Sequence, residues 1–313
     1  MNPPFHLVFC GTPRFAVPTL EALVRAGFAV DLVVTQPDKP KGRGMEMSFS
    51  PVKQSAIAFN LAVAQPEKIK NNAEFRTQLE ALRPEAIVVV GYGRIVPQWM
   101  IDLPPLGNIN LHASLLPKYR GAAPIQWAIA CGEALTGVTI MRIDAGLDTG
   151  DILQQSELKI DPEDTAETLA PKLATIGAAQ MVETLLGFKA GTIHPRAQDS
   201  SLASLAPILR KEDGQIDFQR SAQEIHNRLR GFQPWPGAYT QFRGKQLVIS
   251  AARATEKSLS SPPGALMAEG PRLFVACRDS SLELLEVQPE GKKRMPARDF
   301  LNGYRPQAGE CLG

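Results

Sequence analysis

The run Leu7-Val-Phe-Cys-Gly-Thr-Pro-Arg-Phe-Ala-Val-Pro-Thr-Leu-Glu-Ala-Leu-Val-Arg-Ala-Gly27 decides the fold. Its first four residues are apolar without alternation, as in a strand covered on both faces, and Gly11-Thr-Pro13 ends them. Beyond that turn Val17, Leu20, Leu23 and Val24 share one helical face, and Gly27 stands where a helix stops. The unit repeats. Val30 to Thr35 and Ala86 to Gly91 are further apolar runs of strand length, and residues 51–59 and 72–82 read as helices. Ser50 and Pro51 offer a cap and a first-turn proline to the first helix, while Phe75, Leu79 and Leu82 line a face of the second. Strand and helix alternate, which predicts an α/β fold with a Rossmann-like, doubly wound, mostly parallel sheet.

Such sheets take ligands beyond the carboxyl ends of their strands, where Gly91-Tyr-Gly-Arg-Ile-Val-Pro97 and the run from Asn110 would lie. Val138 to Ile143 and Ile152 to Ile160 read as a strand pair around a Gly-rich turn. Asp164-x-x-Glu167 predicts a capping box for a long helix that turns Leu169, Leu173, Ile176, Met181 and Leu185 inward. The first domain is therefore assigned residues 1–189. Residues 190–206 lack periodicity and read as a linker. Residues 207–313 form a second domain, opened by the capping box Ser221-x-x-Glu224 and continued by short apolar runs between Gly, Pro and Ser turns. That spacing suits a small barrel, and another compact β fold equally well.

The 313 residues suffice for two cores. A formal net charge of +2 hides an uneven split: residues 207–313 carry 16 Lys and Arg against 12 Asp and Glu, which suggests a polyanionic partner. Cys10, Cys131, Cys277 and Cys311 lie far apart, so they read as reduced thiols of a cytoplasmic protein and no metal site is expected. No stretch approaches a membrane span. The first βα turn lacks the spaced glycines of a dinucleotide site, and no phosphate-cradling Gly-x-x-x-x-Gly-Lys-Ser/Thr is present.

The chemistry falls to side chains. If residues 108–113 form a strand, its period of two puts Asn110 and His112 on one face, with Ile109 and Leu111 on the other. An amide donor beside an imidazole can stabilise an oxyanion and move a proton if a third group orients the ring. Asp148, in Asp144-Ala-Gly-Leu-Asp-Thr-Gly-Asp151, is the candidate. A polar strand end that merely satisfies loop backbone would carry the same pair, so the surrounding motifs have to decide.

The run from Asn110 to Pro124, with Thr136-Gly-Val-Thr139 and Leu147-Asp-Thr-Gly150, resembles the folate-dependent formyltransferases. Phe9 to Ala16, Thr35 to Gly44 and Ser50-Pro-Val-Lys53 match the same pattern. Asn227 to Pro236 and Gln288 to Lys293 resemble the second domain that tRNA formyltransferases carry and glycinamide ribonucleotide formyltransferases lack. The resemblance implies an OB-like second domain, 10-formyltetrahydrofolate as co-substrate and methionyl initiator tRNA as acceptor; a monomer is expected. It implies that Asn110 donates to the oxyanion, that His112 acts as base or second donor, and that Asp148 orients the ring. For the folate it implies Tyr92, Gly93, Arg94, Ile95 and Val96, the loop Ser114, Leu115, Leu116 and Pro117, and Asp144 and Gly146 in the turn before Asp148. Ser114, Pro117, Arg120 and Gly121 shape their loop before they act in catalysis.

Gln36 to Phe49 is polar and without periodicity. Its charge and glycines predict that it is mobile in the free protein, and by resemblance it is the insertion that reaches the tRNA acceptor end through Lys39, Lys41 and Arg43, although Met45-Glu46 stands where lysines are common. In the second domain Arg228, Lys245, Lys292 and Lys293 are expected on phosphates, and Trp235 reads as a packing anchor. Other acceptors for the same chemistry are an amino sugar nucleotide, glycinamide ribonucleotide or water, and a noncatalytic RNA-binding protein is the alternative outside enzymes.

Overall fold

The computed structural model describes residues 5–41, 46–307 and 309–313. Its strands are β1 (His6–Gly11), β2 (Ala29–Val34), β3 (Lys39–Lys41), β4 (Glu46–Ser48), β5 (Val63–Ala64), β6 (Ala86–Val90), β7 (Asn108–His112), β8 (Leu135–Arg142) and β9 (Ile152–Lys159), then β10 (Tyr239–Phe242), β11 (Lys245–Thr255), β12 (Leu266–Glu269), β13 (Arg272–Ala276), β14 (Ser281–Pro289) and β15 (Met295–Pro296). Its helices are α1 (Val17–Arg25), α2 (Pro51–Ala58), α3 (Ala73–Leu82), α4 (Gln98–Ile101), α5 (Pro124–Ala130), α6 (Ala166–Lys189), α7 (Ala222–Gly231) and α8 (Ala297–Tyr304). Contacts divide the chain into two compact units that are not contiguous in sequence. One holds residues up to Gly121, Leu135–Lys159 and Ala170–Leu205; the other holds Ala122–Ala134, Ile160–Leu169 and Ala206–Gly313.

The first unit is built on a seven-stranded sheet in the order β5-β2-β1-β6-β7-β8-β9. Strands β5 to β7 pair in parallel, and β8 and β9 continue antiparallel. Leu7, Val8, Phe9 and Cys10 are fully buried, as the unbroken apolar run required. Ser50 caps α2 by accepting from the Lys53 N–H at 3.0 Å, and Asn72 does the same for α3 from Phe75.

The cap of α6 differs from the expected Asp164 box. Thr165 Oγ1 accepts from the Thr168 N–H and Thr168 Oγ1 from the Thr165 N–H, while Asp164 closes the preceding turn through the Asp161 N–H. Threonines at both ends of the box satisfy the orphan donors one residue later than the acidic pattern suggested.

Part of the segment expected to lack regular structure is regular: β3 and β4 pair antiparallel, Lys39 opposite Ser48. Residues 190–205 are not a free linker. Arg196 and Ile152 exchange backbone hydrogen bonds of 2.9 and 2.8 Å at the start of β9. Leu205 bridges to Arg120, where Ser204 O accepts from the Arg120 N–H at 2.8 Å.

In the second unit the sheet runs β10-β11-β14-β13-β12, with β15 on β14. All its ladders are antiparallel. The C-terminal tail links the two edge strands, since Leu266 donates to Glu310 O at 2.8 Å and Gly313 donates to Gln241 O at 3.0 Å. Closure by a tail covers edges that would otherwise be open. Phe300 of α8 and Leu229 of α7 enter this core beside Leu273, Val275, Leu282 and Val287. Ser221 and Glu224 form the capping box of α7 as the sequence indicated.

Candidate active site

Strand β7 lies between β6 and β8, with Asn110 beside Val89 on one side and Met141 on the other. Ile109 and Leu111 are buried in the sheet's other layer, so the alternation delivers Asn110 and His112 together to the opposite face at the strand's carboxyl end. His112 is buried and Asn110 half-buried. The Asn110 amide makes no hydrogen bond to any described residue, which leaves its N–H groups available to a substrate oxygen.

The two ring nitrogens of His112 face different acceptors. Nε2 lies 2.9 Å from the Tyr119 carbonyl, which can only accept, so Nε2 carries a proton. Nδ1 lies 3.6 Å from Asp148 Oδ2. A neutral ring turns a lone pair toward that carboxylate, and a doubly protonated ring turns an N–H toward it. The nitrogen that changes protonation is therefore the one beside Asp148. Tyr119 and Asp148 both occupy the left-handed region, at φ 61° and 51°, a conformation that costs most L residues about 1–2 kcal/mol. Aspartate tolerates that region in turns, whereas a tyrosine seldom adopts it, so the Tyr119 carbonyl is held against the imidazole by the surrounding structure.

The expected folate residues divide into groups with different duties. Tyr92 is 2 % exposed, burial pushes its hydroxyl pKa well up, and its carbonyl accepts from Thr12 Oγ1 at 3.2 Å and Gln36 Nε2 at 3.0 Å. Gly93 needs its φ of 74°, and a Cβ there would meet Gln36 Nε2 at 2.6 Å. Those two residues anchor the loop. Beyond them the backbone groups of Arg94, Ile95 and Val96 take no part in hydrogen bonds among the described residues, and Ile95 is 93 % exposed. Ser114 is fully buried, with its hydroxyl donating to Lys118 O at 2.6 Å, and the Leu116 carbonyl accepts from Gln155 Nε2 at 2.9 Å. Leu115 and Pro117 are half-buried in the same turn. Asp144 accepts from the Gly146 N–H at 3.0 Å and from Thr149 Oγ1 at 2.7 Å, so its carboxylate holds the turn that carries Asp148.

Sequence reasoning missed several groups here. Gly121 donates its N–H to Asp148 Oδ2 at 2.9 Å. Gln198 reaches the same turn and is taken up below. Lys53 pairs with Asp38 and Gln65, whose amide also holds the Gln36 carbonyl at 2.8 Å. The Lys53 hydrogen bond, with Gln65's, holds the Asp38 carboxyl below its usual range despite opposing desolvation. This anchors the base of the β3–β4 hairpin. Backbone donors and lone glutamines carry no sequence pattern, and Lys53 in Ser50-Pro-Val-Lys53 was the one available signal.

Of the basic residues expected on tRNA, Lys39, Lys245, Lys292 and Lys293 are exposed. Lys41 lies in β3, and Arg43 and Met45 fall outside the described residues. Arg228 is half-buried. Its guanidinium lies 4.8 Å from the Phe232 ring and 5.7 Å from Trp127, and donates to Asp213 O at 3.2 Å, contacts that pack it within the second unit. Trp235 is corrected, since it is 54 % exposed and anchors little. Cys10 and Cys277 are buried, and burial pushes both thiols up, the second to about 12, which leaves them inert. Among the described residues no group of three or more His, Cys, Asp or Glu is placed to hold a metal, and no helix is long and apolar enough to cross a membrane.

The formyl transferase model matches residues 6–185, and the formyl transferase C-terminal domain model matches residues 208–305. A methionyl-tRNA formyltransferase from Koribacter versatilis is 69 % identical over 308 residues, 98 % of each chain. An N-formyltransferase from Helicobacter canadensis, solved with folinic acid and dTDP-3-aminofucose, shares the fold at a TM-score of 0.66 and 21 % identity, over 91 % of this chain and 99 % of that one. A phosphoribosylglycinamide formyltransferase from Bacillus halodurans covers only 59 % of this chain with 96 % of its own, at 26 % identity and a TM-score of 0.50. With both family domains matched and near full-length identity to a curated relative, the chain belongs to the formyltransferase family.

Proposed function

We propose that this chain transfers the formyl group of 10-formyltetrahydrofolate to the α-amino group of methionyl initiator tRNA, as a monomer in the cytoplasm. The observation that carries the chemistry is the unpaired Asn110 amide beside His112, whose Nδ1 faces Asp148 at 3.6 Å. As the amine nitrogen bonds to the formyl carbon, the carbonyl oxygen takes up charge that Asn110 is placed to meet. His112 takes the amine's proton at Nδ1, where the Asp148 carboxylate stabilises the charged ring. The bond from the formyl carbon to the folate nitrogen then breaks, and a proton returns to that nitrogen. Free backbone groups from Arg94 to Val96 suit a heteroaromatic ring with alternating donors and acceptors, as a pterin has. Incubating the protein with donor and methionyl-tRNA, then identifying the released amino acid by mass spectrometry, tests the reading. Formylmethionine is expected; unchanged methionine beside intact donor would overturn it.

The acceptor assignment draws support from the relatives' length and from the exposed lysines of the second unit. Binding of tRNA should weaken steeply with salt, and replacing Lys292 and Lys293 together by alanine should flatten the log-log slope by about 1.4–1.8 if both neutralise phosphates. Titration of tRNA at several salt concentrations measures this. An unchanged slope would place the RNA elsewhere.

A further inference from the structure

The turn that carries Asp148 is held by a residue far from it in sequence. Because Arg196 pairs with Ile152 in antiparallel register, the period of two brings Gln198 opposite Gly150. The Gln198 Nε2 donates to Gly150 O at 2.7 Å and to Asp148 O at 2.9 Å, which uses both of its protons. Its Oε1 accepts from Arg120 Nη2 at 2.7 Å and Nε at 3.1 Å. Arg120 is 7 % exposed and can only donate, so it fixes which end of the Gln198 amide points at the turn. Arg120 also stands between the two residues that reach the catalytic pair directly: Tyr119, whose carbonyl holds His112 Nε2, and Gly121, whose N–H holds Asp148 Oδ2. The turn is thus held through its main chain by Gln198 and through its carboxylate by Gly121.

Resting on the formyl-transfer reading above, we infer that Gln198, oriented by Arg120, is a positioning residue that clamps the Asp148 and Gly150 carbonyls and so sets the Asp148 carboxylate against His112. Asp148 is in the left-handed region at φ 51°, which aspartate tolerates in turns, and the two bonds from Gln198 fix its carbonyl and that of Gly150 in that arrangement. Gln198 itself touches no reacting atom. Its loss should lower the rate of the chemical step far more than it weakens binding of the donor, because Asp144 still holds the Gly146 part of the turn through the Gly146 N–H and Thr149 Oγ1.

The test uses the full chain. Gln198→Ala removes the clamp. Gln198→Glu keeps an acceptor for the buried Arg120 and loses the N–H groups that hold the carbonyls, so it separates support of the fold from support of the turn. Single-turnover formylation of methionyl-tRNA should fall by about 10- to 100-fold in both variants, since a misplacement of about 1 Å in a catalytic group costs that much. The dissociation constant for donor should stay within about twofold of the unsubstituted chain, well inside the effect sought. In an Asp148→Ala background the further change to Gln198→Ala should cost nothing more, because a clamp with no carboxylate to aim has no effect.

A Gln198→Glu rate equal to that of the unsubstituted chain would overturn the inference. So would a loss from Gln198→Ala that multiplies with the loss from Asp148→Ala, as an unrelated structural defect does. The unsubstituted chain in the same assay keeps this apart from the functional reading: if it fails to formylate methionyl-tRNA, the reading itself has failed.

Discussion

Asn110→Ala should lower single-turnover formyl transfer by about 100- to 1,000-fold, the usual loss when one oxyanion donor is removed. The size follows from isolation. The Asn110 amide is not shared with the scaffold, and its strand is held by ladders to β6 and β8 that the substitution leaves intact. Asn108, two residues earlier on the same face, shows the contrast: it is buried, and its amide donates to the Met100 and Ile101 carbonyls at 2.8 and 3.1 Å. The first side chain is free to serve a reaction and the second serves packing. Donor affinity and the thermal unfolding midpoint should therefore change little in Asn110→Ala. A rate within about tenfold of the unsubstituted chain, short of the loss that one donor usually causes, would show that the oxyanion is met elsewhere.

Gly150→Ala should be the most damaging small substitution near the site. A Cβ at Gly150 would lie 1.9 Å from the Arg142 carbonyl oxygen and 2.9 Å from its carbon. Both are backbone atoms, so no side chain can swing away, and the turn carrying Asp148 must shift. Overpacking of this kind costs about 1–3 kcal/mol and more where the neighbour is rigid. The shift also pulls Gly150 O away from Gln198 and alters the 3.6 Å separation of Asp148 from His112, so activity should fall further than stability. Gly303→Ala in α8 is the control. Nothing lies within 4 Å of its added Cβ, so replacing that helical glycine should raise stability by about 0.4–1 kcal/mol. Thermal denaturation with parallel rate measurements compares the two. Equal midpoints would show that the Gly150 contact relaxes at no cost.

The core of the first unit was legible because strands buried on both faces must be apolar at every position, as Leu7 to Cys10 and Ala86 to Val90 are. Asn110 and His112 were legible for a related reason: polar residues at a spacing of two, Asn108, Asn110 and His112, alternate with the apolar Ile109 and Leu111, and the motif that follows singles out the last two. Asp148 came from the motif around it. What stayed hidden was carried by backbone atoms, the Tyr119 carbonyl and the Gly121 N–H, which every residue type supplies alike. Gln198 stayed hidden because one glutamine among Pro, Arg, Asp and Ser reads as solvated loop, and only the Arg196–Ile152 pairing brings it home. The surroundings of Arg228 stayed hidden because sequence counts charge and not stacking, and its guanidinium lies against Phe232 and Trp127. Sequence order concealed one more feature. Pro124–Ala130 lies within the first 189 residues but belongs by contact to the second unit, where a Cβ on Gly231 of α7 would meet Gln126 O at 2.6 Å.

The acceptor decides among the chemistries this site supports, and competition for the donor measures it most directly. The full chain with 10-formyltetrahydrofolate is offered methionyl initiator tRNA, methionyl elongator tRNA, glycinamide ribonucleotide, an amino sugar nucleotide and water, and tetrahydrofolate release is followed for each. Rapid release with methionyl initiator tRNA, abolished by Asn110→Ala, is the predicted result. Release at the same rate with a small amine or with water, and none with the aminoacylated tRNA, would contradict it.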